Sequence, residues 1–433
     1  MNLLYSNDTQ GAFPPSWYAA TAHERTPAPQ LRGAARADVC VIGGGFAGLS
    51  AALHLAERGY SVALIEAHRV GFGASGRNGG QLGSGQRVEQ TDLEKMVGEA
   101  EALKLWELAE EAKTLVKQLI ATHNINCDLK PGIAHATFST SETAHEHAYV
   151  EHLQSRYGYD QITALSEEAL SALCPSPAYK GGSLDMGAAH LHPLNYALGL
   201  ARAAANAGVT FYENTHVHQI DEGANPVVRC DTGHLTTTHV ILAANGYLGG
   251  LNRRVAGRVM PINNFIAATE PLGEDASRVL TQDIAVADSK FVVNYFRLSS
   301  DNRLLFGGGE SYGYKFPDID KTVRKPMRAI YPHLKDIRFD YTWGGTLAIT
   351  MKRLPYLARL APNILSASGY SGHGVGTATQ AGKLMADAIA GEAEGFDTMA
   401  RIPNTPFPGG PALRTPLLTL AMTWYALRDR LGV

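Results

Sequence analysis

Between Asp38 and Ala67 the chain reads DVCVIGGGFAGLSAALHLAERGYSVALIEA, and no other stretch limits its fold so sharply. Val39 to Ile42 is a continuous apolar run, Leu49, Ala52, Leu53 and Ala56 recur at helical spacing, and Ser61 to Ile65 alternates before Glu66. Strand, tight turn, helix and strand make a βαβ unit. Gly43-x-Gly45-x-x-Gly48 lies in the turn that leaves the strand and opens the helix, the context in which this otherwise weak pattern becomes specific. Gly43 permits the turn, Gly45 lets a pyrophosphate approach the backbone, and Gly48 lets helix and strand pack closely; free N–H groups at the helix start meet the phosphate charge. Glu66 ends the second strand, where a carboxylate accepts from both hydroxyls of a ribose. A 2′-phosphate would be repelled there, which disfavours NADP.

Glycines alone do not separate FAD from NAD. A second glycine cluster, SGHGVGT (Ser371 to Thr377), also precedes a helix, so its backbone N–H groups and positive helix end face a group that becomes negative. A flavin's N1/C2=O edge gains that charge on reduction, whereas a nicotinamide becomes neutral. The expectation is FAD.

At 433 residues the chain exceeds what a single core usually supports. Asp92 to Thr122 reads as one long helix with Leu103, Leu105, Leu108, Leu115 and Leu119 on its apolar face. Gly132 to Phe138 reads as a strand, Tyr196 to Ala207 as a helix, Val209 to Tyr212 and Thr238 to Asn245 as strands, and Phe291 to Gly309 as a hairpin turning at Ser299 to Asn302. Nucleotide-type pieces therefore open, interrupt and close the chain. This predicts an α/β protein: a discontinuous Rossmann-like FAD-binding domain (37–90, 187–250 and 344–393) with an inserted antiparallel-sheet plus helix substrate domain (91–186 and 251–343). An N-terminal arm (1–36) and a tail (394–433) with an amphipathic helix at Leu417 to Leu431 complete it.

With 38 basic against 41 acidic residues and a net charge of −3, nothing suggests a nucleic-acid or anionic-membrane surface. Cys40, Cys127, Cys174 and Cys230 show neither zinc nor disulfide spacing, and the first residues lack a secretory pattern. No apolar run is long enough to span a bilayer. A cytoplasmic protein with no metal is expected.

Five stretches together resemble the FAD-dependent D-amino-acid oxidase/glycine oxidase/sarcosine oxidase superfamily. They are Gly43 to Gly48 with Glu66, GFGASGRNGGQ (Gly71 to Gln81), HLHPLN (His190 to Asn195), ILAANGYLG (Ile241 to Gly249) and GYSGHG (Gly369 to Gly374). Within it, the GFGASGRNGGQ loop, HPLN, the DNRLLFGGG hairpin, PFPGG and the terminal LRDRLGV look most like the members that oxidise gamma-glutamylputrescine. The resemblance implies oxidation of a C–N bond to an imine, hydrolysis to an aldehyde, release of ammonia, and peroxide where dioxygen is the acceptor. It also implies that Gly43, Gly45, Phe46, Ala47, Gly48, Glu66 and Ala67 hold the adenosine and pyrophosphate. Gly73, Ala74, Ser75, Gly76, Asn78, Gly79, Gly80 and Gln81 would run beside the pyrophosphate and ring system. Val217 would meet the adenine edge, Ala244, Asn245 and Gly246 would border the cofactor, and Gly372, His373, Gly374, Val375, Gly376 and Thr377 would meet the pyrimidine edge.

Departures from the resemblance carry information. Some relatives bind flavin through a cysteine before the last strand, but Thr342 to Arg359 contains none, so noncovalent FAD is expected. A lysine that binds a substrate carboxylate in sarcosine-type members falls at Gly376, which suits a plain aminomethyl substrate, and a lysine linked to oxygen chemistry falls at Leu305. Hydride transfer needs a deprotonated amine in a dry pocket, for which His373, Trp343 and Tyr295 are the candidates. His190 and His192 read as capping or packing residues rather than substrate contacts. Arg77, Arg297, Lys352 and Arg353 could meet a distal carboxylate, although solvated surface is the commoner fate of such side chains. The expected partners are a small-molecule amine and dioxygen or another electron acceptor. Two other readings stay open: an amino-acid dehydrogenase with a non-oxygen acceptor, and a flavin-binding electron-relay subunit. Oligomeric state is not legible.

Overall fold

A computed structural model describes residues 3–409. Its centre is a six-stranded sheet in the spatial order Tyr356–Ala361, Ile364–Ser368, His239–Leu242, Val39–Ile42, Val62–Ile65 and Thr210–Tyr212. Every neighbouring pair is parallel except the outermost, Tyr356–Ala361. The unbroken apolar run of Val39–Ile42 follows from its position. Val39 and Val41 enter the core beneath the helices, while Cys40 and Ile42 enter a second core on the opposite face.

Helices Phe46–Glu57, Pro193–Asn206 and Gly374–Ile389 cover the first face. The first and last pack so closely that a Cβ at Gly382 would stand 2.2 Å from the Ala47 carbonyl oxygen. A four-stranded sheet, Gly33–Arg36, Gly233–Thr236, Val227–Cys230 and Val217–Asp221, covers the other face. All four cysteines are buried free thiols.

The second layer is a nine-stranded, mainly antiparallel sheet. Its order is Phe339–Ile349, Met260–Thr269, Leu304–Ser311, Tyr295–Leu298, Ala285–Asp288, Lys130–Thr137, Gly181–His190 and Gln81–Leu82, with Ile162–Leu165 also paired to Gly181–His190. Helix Ile319–Ile330 buries Val323, Met327 and Ile330 in a core that includes Phe265, Phe296 and Phe306 from this sheet. Gln81–Leu82 continues the glycine loop of the first layer straight into the second. Strands Gly181–His190 and Phe339–Ile349 likewise run through positions expected to be domain boundaries, so the two layers are stitched by shared strands.

The arm is integral. Trp17 and Tyr18 are buried against Trp343, and Gly33–Arg36 pairs in parallel with Gly233–Thr236. The single helix expected from Asp92 to Thr122 is two, Gln90–Val97 and Glu99–Thr122, because Gly98 takes a left-handed φ of 86° that no helix continues through. Leu103, expected on the apolar face, is 44% exposed. The helix expected at Leu417 to Leu431 lies outside the described residues.

Candidate active site

A cavity of about 430 Å³ opens where the C-terminal ends of the parallel strands meet the nine-stranded sheet. At one end the first glycine loop lines it. Gly43 has φ 111°, and a Cβ there would lie 2.6 Å from the Ala243 carbonyl oxygen. Glu66 shapes this loop directly: one carboxylate oxygen accepts the Gly44 N–H at 2.7 Å and the other the His68 N–H at 3.0 Å. Burial raises its pKa while those hydrogen bonds oppose the rise. Ser75 Oγ accepts the Phe46 N–H at 3.0 Å, locking the second glycine loop onto the start of the first helix.

Gly45, Phe46, Ala47, Ala67, Gly73, Ala74 and Asn78 line the cavity here, and Val217 does so beside Thr215 and His216. Asn78 also braces its turn, donating to the Ala74 and Ser75 carbonyls and accepting the Gly80 N–H. Ala244 and Asn245 line the opposite wall, with Asn245 Oδ1 accepting the Gly369 N–H at 2.9 Å.

Further along, Gly372, His373, Gly374 and Val375 line the cavity at the start of helix Gly374–Ile389, which has no side-chain cap. Ser371 and Gly372 both adopt left-handed φ (53° and 90°), and the Ser371 and His373 N–H groups donate to the Ala348 and Tyr370 carbonyls at 3.0 and 2.9 Å. The cavity therefore presents two helix N-termini to one ligand. The Tyr370 hydroxyl and Arg77 Nη2 are buried polar atoms with no partner among the described residues, and both side chains border the cavity. A dinucleotide with a pyrophosphate for one helix start and an anion-forming ring edge for the other fits these features.

The expected lining residues that do not line the cavity have identifiable packing roles. A Cβ at Gly48 would stand 1.9 Å from the Gly43 carbonyl oxygen, at Gly76 2.1 Å from that of Gly71, at Gly80 2.0 Å from that of Leu191, and at Gly246 2.9 Å from that of Leu347. These glycines permit close backbone packing. Gly376 is turned toward Leu82 and Ala112 and does not line the cavity. Thr377 is buried in the same helix.

Trp343 is corrected from pocket candidate to core. It is 1% exposed, packs with Trp17, Tyr18 and Leu305, and donates its indole N–H to the Arg77 carbonyl at 3.0 Å. Trp343→Phe should lower stability by about 1–3 kcal/mol, through a void and an unpaired carbonyl, while turnover per bound cofactor stays at the parental rate. Melting and steady-state assays read both; an unstable protein with collapsed turnover at full occupancy would return Trp343 to the site.

Tyr295 does line the cavity. Its hydroxyl donates to Asn264 Oδ1, and its ring occupies the space a Cβ at Gly79 or Gly307 would fill. His373 also lines it. The Gly85 carbonyl can only accept, so the His373 Nε2 contact at 3.0 Å places the proton on Nε2. Burial and nearby Arg87 push its pKa down to about 4, so the ring is neutral. Gln81 lines the cavity with its amide donated to the Val286 carbonyl. No cysteine lines the cavity.

His192 is the N-cap of helix Pro193–Asn206, accepting the Asn195 N–H at 3.1 Å, and His190 contacts the Asp283 carbonyl. Burial, then the Arg297 charge, lowers each to about 3. Surface positions expected for Arg77 and Arg297 are overturned: both are buried. Arg77 pairs with Asp8 at 3.0 Å, and Arg297 donates to the Gly79 and Leu191 carbonyls. Lys352 is half-buried off the cavity, whereas Arg353 lines it.

Sequence reasoning missed several lining groups: Arg87, Glu310, Phe291, Asp288 and His135. His135 Nδ1 lies 2.9 Å from Glu146, whose other oxygen accepts from Ser183. Burial opposes both charges, but the pairing outweighs it, raising His135 above its ordinary 6.5 and lowering Glu146 below 4.5. The Glu146 contribution to stability is lost as pH falls through its lowered value, and that of His135 is lost as pH rises through its raised one. His135→Gln should therefore cost about 1 kcal/mol near pH 5.5 and much less near pH 9, a modest figure because the imidazole is partly exposed. Parallel melting-temperature profiles against pH would refute this.

Among the described residues no helix is long and apolar enough to cross a membrane, and no cluster of three or more potential metal ligands forms. The family model described as DAO, FAD dependent oxidoreductase, matches residues 38–388. The chain is 41% identical over 417 residues to the probable oxidoreductase OrdL of Rhizobium meliloti, covering 96% of this chain and 97% of that one. It is 40% identical over 421 residues to the gamma-glutamylputrescine oxidoreductase of Escherichia coli, covering 96% and 99%. Among solved structures, glycine oxidase from Geobacillus kaustophilus superposes with a TM-score of 0.71 at 22% identity, covering 83% of this chain and 95% of that one.

Proposed function

The chain belongs to the DAO family of FAD-dependent oxidoreductases, and on that premise we propose that it oxidises the free aminomethyl end of gamma-glutamylputrescine or a related polyamine derivative. The CH–NH₂ unit loses two electrons and two hydrogens to become an imine, which water converts to an aldehyde and ammonia. Bound FAD would supply the two-electron oxidation by accepting the hydride, and dioxygen would take up the two electrons with two protons to form hydrogen peroxide. The observation that carries the reading is the 40% identity to the E. coli gamma-glutamylputrescine oxidoreductase across 96% of this chain and 99% of that one.

In this reading 37–90, 187–250 and 344–393 carry the cofactor, and 91–186 and 251–343 carry the substrate. Glu66 holds the ribose, Gly43 to Ala47 with Gly73 to Ser75 the pyrophosphate, Val217 the adenine edge, and Gly372 to Val375 the pyrimidine edge. No cysteine borders the cavity, which supports a noncovalent cofactor. Tyr295 and His373 wall the reacting end. The neutral imidazole of His373 adds no positive charge there, and a dry wall favours the uncharged amine that hydride transfer requires.

The acceptor is the point on which a second reading rests. Leu305, at the position of a lysine tied to oxygen chemistry in some relatives, is buried among Trp17, Tyr18 and Trp343. That supports a non-oxygen acceptor as the alternative. The test is peroxide release in air by the purified yellow protein with gamma-glutamylputrescine, putrescine, glycine, sarcosine and D-alanine side by side. Release from the first well above the others is expected. Release led by D-alanine or sarcosine would contradict the substrate, and turnover seen only with an artificial acceptor would move the chain to the second reading.

A further inference from the structure

Arg87, Arg353 and Glu310 are among the charged side chains that border the cavity, together with Asp288 and His135. Arg87 follows the glycine loops, Arg353 the long strand Phe339–Ile349, and Glu310 stands near the end of Leu304–Ser311. Their arrangement is electrostatically incomplete. Arg87 and Arg353 lie near enough to repel, and Glu310 acts on both only at longer range. Arg87 donates only its Nε, to the Ser371 carbonyl at 3.1 Å. Arg353 sits at a left-handed φ of 61° with its guanidinium 5.4 Å from the Phe291 ring centroid. An L-residue other than glycine or asparagine is disfavoured in that conformation, so the backbone turn itself does not call for an arginine.

Burial raises the Glu310 pKa, while the Tyr312 hydroxyl it accepts at 2.9 Å and both arginines at longer range oppose that rise and favour its carboxylate form. A pair of forked donors that no carboxylate meets directly is a carboxylate site, and a carboxylate nearby with accepting capacity to spare is an ammonium site.

We propose that Arg87 and Arg353 hold the α-carboxylate, and Glu310 the α-ammonium, of an amino-acid head group at the end of the substrate remote from the amine that is oxidised. This rests on the reading of the substrate as a γ-glutamyl amide, and it deepens that reading by naming what recognises the glutamyl group. The head cannot be the reacting end: an ammonium held by a carboxylate keeps its proton, whereas the amine that gives up hydride must be neutral. The pocket thus separates two chemically similar amines by charge, holding one protonated on Glu310 and leaving the other beside neutral walls.

The experiment pairs binding with turnover on the holoenzyme. Isothermal titration with L-γ-glutamylmethylamide, which has the head but no oxidisable aminomethyl end, should show binding that Arg353→Gln weakens about 10- to 100-fold. Glu310→Gln should weaken that ligand similarly but leave glutaric acid monomethylamide, which lacks the ammonium, unaffected. In turnover, Arg353→Gln should raise KM for gamma-glutamylputrescine about 10-fold or more with a much smaller rise for N-acetylputrescine, which lacks the head. Retained flavin colour and an unshifted melting temperature show that each variant folds.

Binding of the methylamide that neither variant disturbs overturns the head site, as does an equal loss on both turnover substrates. Arg353-dependent binding without flavin reduction by gamma-glutamylputrescine would keep the head site and discard the proposed reaction.

Discussion

Glu66→Ala should yield a protein that loses its flavin on desalting, with FAD affinity at least about 100-fold below the parent. Two effects of similar size add. The side chain is the acceptor for the buried Gly44 and His68 N–H groups, and leaving a buried donor unpaired costs about 1–3 kcal/mol each. In the proposed reading the same carboxylate also accepts from the ribose hydroxyls. Because Gly44 lies inside the first glycine loop, loss of its anchor also loosens the pyrophosphate cradle. Glu66→Gln should fall between, since one of its two positions becomes an NH₂ facing an N–H donor. Fluorescence titration of apoprotein with FAD measures both variants. Parental affinity in Glu66→Ala would mean that the cofactor lies elsewhere.

Asp8→Ala should destabilise the fold by about 3 kcal/mol or more, although Asp8 lies in the segment read from the sequence as an N-terminal arm. Its carboxylate is the counter-charge of Arg77, whose side chain is 1% exposed and whose Nη1 it meets at 3.0 Å. The other Arg77 contacts are neutral, namely the Phe72 and Gly344 carbonyls and the Phe72 ring. Removing Asp8 strands a buried cation between the second glycine loop and the strand Phe339–Ile349. A melting midpoint lowered by several degrees, with weaker FAD retention, is the expected result. An unchanged midpoint would show that the carbonyls alone suffice.

The sequence reveals most where chemistry is local. Gly43, Gly45 and Gly48 with Glu66 announce themselves because turn, cradle and acceptor must sit at set offsets along one βαβ unit. The second cluster at Ser371 to Thr377 is legible for the same reason: glycines before a helix expose its N–H groups. The substrate side is different. Arg87, Glu310, Arg353 and the His135–Glu146 pair come from separate elements, converge only once the nine-stranded sheet forms, and carry no spacing signal.

The misreadings share that origin. Trp343 alternates into a core that exists only because the arm folds back with Trp17 and Tyr18. Gly376 follows the cavity-lining Gly374 and Val375, yet one helical step turns it toward Ala112. Arg77 and Arg297 read as surface because their partners, Asp8 and the Gly79 and Leu191 carbonyls, lie far along the chain.

The central claim is that a polyamine-type amine delivers its electrons to FAD in this cavity. Anaerobic mixing of the yellow holoenzyme with gamma-glutamylputrescine, followed by visible absorbance, tests it most directly. Full bleaching is predicted, with the aldehyde formed in proportion to flavin and the colour returning when air or an artificial acceptor is admitted. A flavin that stays oxidised with this amine, or that bleaches instead with D-alanine or sarcosine, would contradict the account.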